Sequence, residues 1–155
     1  MDDRRRQTVK ALGGMGILGL LAAQGLLPTA LAETAWAQDV IGARTLADVY
    51  TALGTGQAAL DDQVGFDAPD VSENGLIVPL TVRSALPGTE RIVVMVENNL
   101  NVVAGDFLLP TGTLAEVELR AKVTQTSDLY ALVKAVSGFY VVRRHIRVVR
   151  GACHA

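Results

Sequence analysis

The chain has 155 residues, half of them hydrophobic, with 14 basic against 16 acidic side chains, a formal net charge of -2 and a single cysteine. This balance excludes nucleic acid as an expected partner, and one cysteine excludes an intramolecular disulfide. No apolar stretch reaches the roughly 20 residues that a spanning helix requires, so no membrane attachment is expected once the leader is gone.

The leader comes first. Met1-Asp2-Asp3-Arg4-Arg5-Arg6-Gln7-Thr8-Val9-Lys10 is a basic n-region, and the Gly-punctuated apolar run from Ala11 to Leu27 closes on Pro28. Two small-x-small sites follow, ending at Ala32 and Ala37, so residues 1–37 read as an export signal. Arg5-Arg6 with Val9 and Lys10 resembles a twin-arginine signal, with Thr8 where an aromatic is usual. The glycines at 13, 14, 16, 19 and 25 keep the h-region only moderately apolar and favour that reading over an ordinary Sec signal. Twin-arginine export carries folded cargo, yet no cofactor motif is present; a partner subunit exported bound to this chain accounts for it. Cleavage at Ala37 takes four of the 14 basic residues and three of the 16 acidic ones, leaving 10 against 13 and enough chain for one domain.

The first predicted element is a helix over Leu46–Leu53, with Thr45 as N-cap, Asp48 at N3, Gly54 as the stop, and Leu46, Val49, Tyr50 and Leu53 on one face. The remainder reads as strands. Leu76, Val78, Leu80 and Val82 alternate with Ile77, Pro79, Thr81 and Arg83, and Val117, Leu119, Ala121 and Val123 alternate with charged residues, so each has one buried face. Pro79 lacks an amide proton and predicts an edge or a bulge. Further strands are expected over 64–68, 91–97, 102–108, 129–135 and 139–149. Turns at Glu73-Asn74-Gly75, Pro87-Gly88, Asn98-Asn99, Pro110-Thr111-Gly112 and Ser137-Gly138 separate them. About seven short strands with frequent turns predict an all-β fold, an antiparallel β-sandwich.

The last strand runs into Arg150-Gly151-Ala152-Cys153-His154-Ala155. An extended tail carries the Cys153 sulfur about 10 Å past Arg150, Gly151 adds backbone freedom, and Ala152 and Ala155 fit a narrow cleft. This is the geometry of a carrier arm. Arg147 and Arg150 steer anions towards the thiol and, with His154, promote its thiolate. The same residues allow an inert thiol or an intermolecular disulfide. A prenyl anchor is excluded because the cysteine is third from the end of the sequence rather than fourth. A metal site on Cys153, His154 and His145 lacks ligand spacing. Arg143 and Arg144 read as edge-strand charges that discourage aggregation, and Asp67, Asp70 and Glu73 as turn formers rather than calcium ligands. With no nucleophile elbow, Walker loop or Rossmann glycine pattern, the chain is expected to present a substrate rather than to act as an enzyme.

Four separated segments, Asp67–Gly75 running into Leu76–Val82, Val96-Glu97-Asn98-Asn99, Gln125–Lys134 and the Cys153 tail, resemble the SoxY family of sulfur carriers. The resemblance covers the chain from about Asp67. It implies an immunoglobulin-like sandwich over residues 38–150, an arm over 151–155, and periplasmic pairing with a SoxZ-like subunit. It also implies covalent attachment of thiosulfate-derived intermediates to Cys153 while other Sox enzymes process them. Family tails place glycine on both sides of the cysteine; here only Gly151 matches, and Ala152, His154 and Ala155 make the arm stiffer and bulkier. A structural sandwich with a Cys153 intersubunit disulfide and a divergent carrier of another sulfur species are the alternatives.

Overall fold

The computed structural model describes residues 40–56, 58–73 and 75–149. Helix α1 (Leu46–Ala52) precedes eight strands: β1 (Val64–Asp67), β2 (Val71–Ser72), β3 (Val78–Ser84), β4 (Arg91–Val96), β5 (Val103–Leu108), β6 (Glu116–Ala121), β7 (Ser127–Ala135) and β8 (Gly138–Val148). They form a three-stranded sheet in the order β1-β3-β6 and a five-stranded sheet in the order β2-β8-β7-β4-β5. The predicted β-sandwich is the observed fold.

The alternation read from sequence becomes the core between the sheets. Val78, Leu80 and Val82 of β3 meet Ile92, Val94 and Val96 of β4, with Leu129, Ala131 and Val133 of β7 and Phe66 of β1 in the same cluster. Burying a side chain of this size contributes about 1.5–3 kcal/mol. Strand β4 does not alternate, because all six of its residues are buried. Its second face, Val93 and Met95, lies in a separate cluster with Val40, Ala43, Val49, Leu53, Val102 and Leu132. Helix α1 therefore covers the outer face of the five-stranded sheet. Its start is the predicted capping box: the Asp48 amide donates to Thr45 Oγ1 at 3.1 Å and the Thr45 amide donates to Asp48 Oδ2 at 2.9 Å.

Several expectations are corrected. The sandwich is not wholly antiparallel, since the two-residue strand β2, unforeseen in the sequence, pairs parallel to β8. Leu76 lies before β3 and is 57% exposed rather than buried. β3 is the middle strand of its sheet, but pairing with β1 stops at Thr81, so Pro79 pairs only with Arg120 of β6. The missing amide of Pro79 thus falls where the strand is locally an edge. The last hairpin turns through Val136-Ser137, and Gly138 is already paired with Ala135, at φ 140.

Candidate functional site

Strand β8 is the element that leads towards Cys153, and its end is pinned on both sides. The Arg147 amide donates to the Asp70 carbonyl at 2.9 Å and the Val149 amide to the Ser72 carbonyl at 2.8 Å. Between them, the Val148 amide donates to Thr126 Oγ1 at 3.1 Å. Thr126 is itself held by Asn98, whose side-chain amide donates to the Thr126 carbonyl at 2.9 Å. Gly75 closes the inner side: at φ 64 it leaves no room for a Cβ, which would overlap the Val123 carbonyl oxygen and press on Val148. The framework is fixed as far as Val149, four positions before Cys153.

The predicted arm residues Gly151, Ala152, Cys153, His154 and Ala155, together with Arg150, lie outside the described residues. Arg147 lies opposite Val71 of β2, is exposed, and takes part in no ion pair among the described residues. Arg143 and Arg144, read in sequence only as edge charges, have separate partners. Arg143 Nη1 lies 3.3 Å from Asp128 Oδ2. Arg144 Nε donates 2.8 Å to the Phe66 carbonyl, bridging β8 to β1 of the other sheet. Beside that bridge is a cleft of about 460 Å³ whose lining includes Asp67, Asp70, Thr81 and Arg144. Asp67 also pairs with Arg83, whose Nη1 lies 2.6 Å from Asp67 Oδ2.

Sequence reading missed a polar strip on the outer face of β7 and β8, past the part covered by α1. Asp128 lies directly across from His145 and Tyr130 across from Arg143. His145 Nδ1 is 2.7 Å from Asp128 Oδ1, so an ionised carboxylate, which only accepts, fixes the proton on Nδ1. Nε2 is left without a partner among the described residues, and the side chain is 63% exposed. The Tyr130 hydroxyl donates to Glu97 Oε2 at 3.4 Å. Burial, and then the Glu97 carboxylate, raise its pKa above the usual tyrosine value while Arg143 opposes the shift, so it remains a donor at neutral pH. The missed signal was hairpin register: a Val136-Ser137 turn sets Asp128 opposite His145.

The family model for sulfur oxidation protein SoxY matches residues 50–153, which includes Cys153 and most of the sandwich. Among solved structures, the sulfur carrier protein SoxY from Chlorobium limicola f thiosulfatophilum superposes with a TM-score of 0.62 at 27% identity, covering 73% of this chain and 99% of that one. A superoxide reductase (neelaredoxin) from Ignicoccus hospitalis gives a TM-score of 0.49 at 17% identity, over 56% of this chain and 80% of that chain. No curated protein matches the chain. With its sandwich and the model match over more than half its length, the chain belongs to the SoxY family of sulfur oxidation proteins.

Proposed function

We propose that this chain is a carrier subunit of a thiosulfate-oxidising system, with Cys153 as the point of covalent attachment. The observation that carries the reading is that β8 is held on both sides up to Val149, four positions before the only thiol. A rigid root and a short reach suit a group that must be offered to several enzymes in turn, because four residues span at most about 14 Å. Residues 1–37 are then a twin-arginine leader removed on export to the periplasm, 38–150 the sandwich, and 151–155 the arm. A SoxZ-like subunit is the expected permanent partner, and other Sox proteins act on the bound sulfur.

The chemistry balances as follows. Cys153 Sγ joins the sulfane sulfur of thiosulfate, the thiol proton leaves, and two electrons pass to an electron-accepting redox partner. The product, an S-thiosulfonate, keeps one negative charge. Water then attacks its sulfonate sulfur in a partner hydrolase, releasing sulfate and two protons and leaving a persulfide anion on Cys153. This chain's own part is to present the sulfur and to favour the anionic product, for which Arg147 is the described cation nearest Cys153 in sequence.

Intact-mass measurement on protein isolated from cells oxidising thiosulfate tests the assignment. Sulfur and thiosulfonate adducts that vanish in Cys153→Ser are expected. Protein carrying no adduct and running only as a reducible dimer would overturn the carrier role and leave Cys153 as an intersubunit disulfide.

A further inference from the structure

Between deliveries, a loaded arm of this length must either extend away from the sandwich or return to it. A returning arm has few places to lie. Both edges of β8 are taken near its end, one by Thr126 and the other by the Asp70 and Ser72 carbonyls, so the arm cannot add as a strand there. The inner face is filled by Ile146, which is fully buried, and by Val148 packed on the core. The cleft between β1 and β8 is lined by Asp67 and Asp70, and its Arg144 Nε is already engaged by the Phe66 carbonyl. Two carboxylates facing a new anion oppose its entry.

The outer face remains. Arg147 and His145 are alternate residues of one strand, so they share that face about 6.6–6.8 Å apart along it. Arg147 has no ion-pair partner among the described residues, and Asp128 orients the His145 ring through Nδ1 while Arg143 offsets the Asp128 charge. The other acid of the strip, Glu97, is bonded by Tyr130. Val71 of β2 flanks Arg147 and is 45% exposed. Cys153 is four positions past Val149, a covalent reach of at most about 14 Å that covers the distance back along β8 to this pair.

We propose that the outer-face strip of His145 and Arg147, buttressed by Asp128 and Arg143, is a berth for segment 150–155 when Cys153 carries an anionic sulfur adduct. This rests on the carrier reading above. The sulfonate lies against the Arg147 guanidinium, beside the His145 ring that Asp128 orients through Nδ1. The unloaded thiol brings no sulfonate for the pair to hold, so loading recruits the arm to the face and transfer frees it. The berth keeps the adduct from stray thiols and pre-sets the arm's direction.

Chemical loading isolates this step. Tetrathionate exchanges onto the thiolate, leaving the S-thiosulfonate on Cys153 and releasing thiosulfate, with no partner protein and no net oxidation. In the full chain, amide and imidazole NMR shifts on loading should concentrate at Val71, His145 and Arg147 as well as in 150–155, and should reverse when dithiothreitol removes the adduct. Arg147→Glu, exposed and outside the core, should abolish the shifts at Val71 and His145 while the adduct remains visible by mass. Shifts confined to 150–155 in the loaded wild-type chain, or unchanged in Arg147→Glu, overturn the berth. Neither result touches the carrier role, which fails only if protein from thiosulfate-grown cells bears no adduct.

Discussion

The outer face of the five-stranded sheet is built in two ways along its length. Under α1 it is apolar and closed: Val93, Met95 and Leu132 are at most 1% exposed. Past the helix, on β7 and the neighbouring β8, it is polar and open, with Asp128, Arg143, His145 and Arg147. The covered half stabilises the domain. The bare half contributes little to stability, since its ion pairs are open to water. The contrast follows from where the helix ends, since a sheet face left uncovered must be polar to stay in water.

The sharpest way to break this comparison is to disturb the covered half at a buried ion pair, Arg91 with Asp106. Arg91 Nη2 and Nε meet the Asp106 carboxylate at 2.6 and 2.7 Å, with side chains only 10% and 4% exposed. Arg91 shares the parity of Val93 and Met95, so it belongs to the helix-bearing face. Arg91→Met leaves a buried carboxylate without its cation and should cost about 3–5 kcal/mol. Calorimetry should register a fall in Tm of roughly 10–20 °C, at about 4 °C per kcal/mol for a domain of this size. Adding Asp106→Leu should restore most of it, because replacing both charges by apolar groups of similar volume is near neutral. A double variant as unstable as the single would show that the pair has a geometric role beyond satisfying its own charges.

A smaller effect is expected at the start of the helix. Thr45→Ala removes half the capping box and should cost about 1 kcal/mol, seen as a Tm loss of roughly 4 °C. Asp48 supplies the other half. The Thr45 hydroxyl and the amides of Thr45 and Arg44 hold its carboxyl below the ordinary 3.8. A lowered folded pKa means that its contribution is present above pH 3.8 and is lost as pH falls through the folded value. Asp48→Asn should therefore lower stability above pH 3.8, where the carboxylate contributes, and flatten the acid limb of the profile, leaving stability at the acid end little changed. If the helix were dispensable, neither variant would move Tm.

How far the sequence discloses these two halves depends on how local their causes are. Strands β1, β3, β6 and the helix were legible because their periodicity, caps and turns lie within a few residues of one another. β4 shows no alternation because partners on both faces bury it, and those partners are remote in sequence. β2 is two residues long and exists only because Asp70 and Ser72 meet β8. Likewise the reach of Arg144 to Phe66 crosses from one sheet to the other and leaves no local trace. The Asp128–His145 pair was within reach of sequence and still missed. Centring the hairpin on Ser137-Gly138 would set Asp128 opposite Arg147, since a one-residue error in the turn moves every partner by two. Such an error keeps each residue on its own face, so the strip's composition survives it even though its pairing does not.

The smallest thermal effect is expected in the bare half, and it is the most discriminating. Asp128 is the hub of the strip, with Arg143 at 3.3 Å and His145 at 2.7 Å, but Arg143 and His145 are 64% and 63% exposed. Pairs so open to water are worth about 0–1 kcal/mol, so Asp128→Asn should lower Tm by no more than about 4 °C. Cys153→Ser, four positions past the pinned end of β8, should leave Tm unchanged, since the two core clusters of the described residues are built without it. Yet Asp128→Asn releases the ring that Asp128 orients, and in tetrathionate-loaded protein it should weaken the shift at His145 more than the shift at Arg147. A loss of stability on the scale of Arg91→Met would instead make the strip part of the structural core, and the division between a stabilising half and a working half would fall.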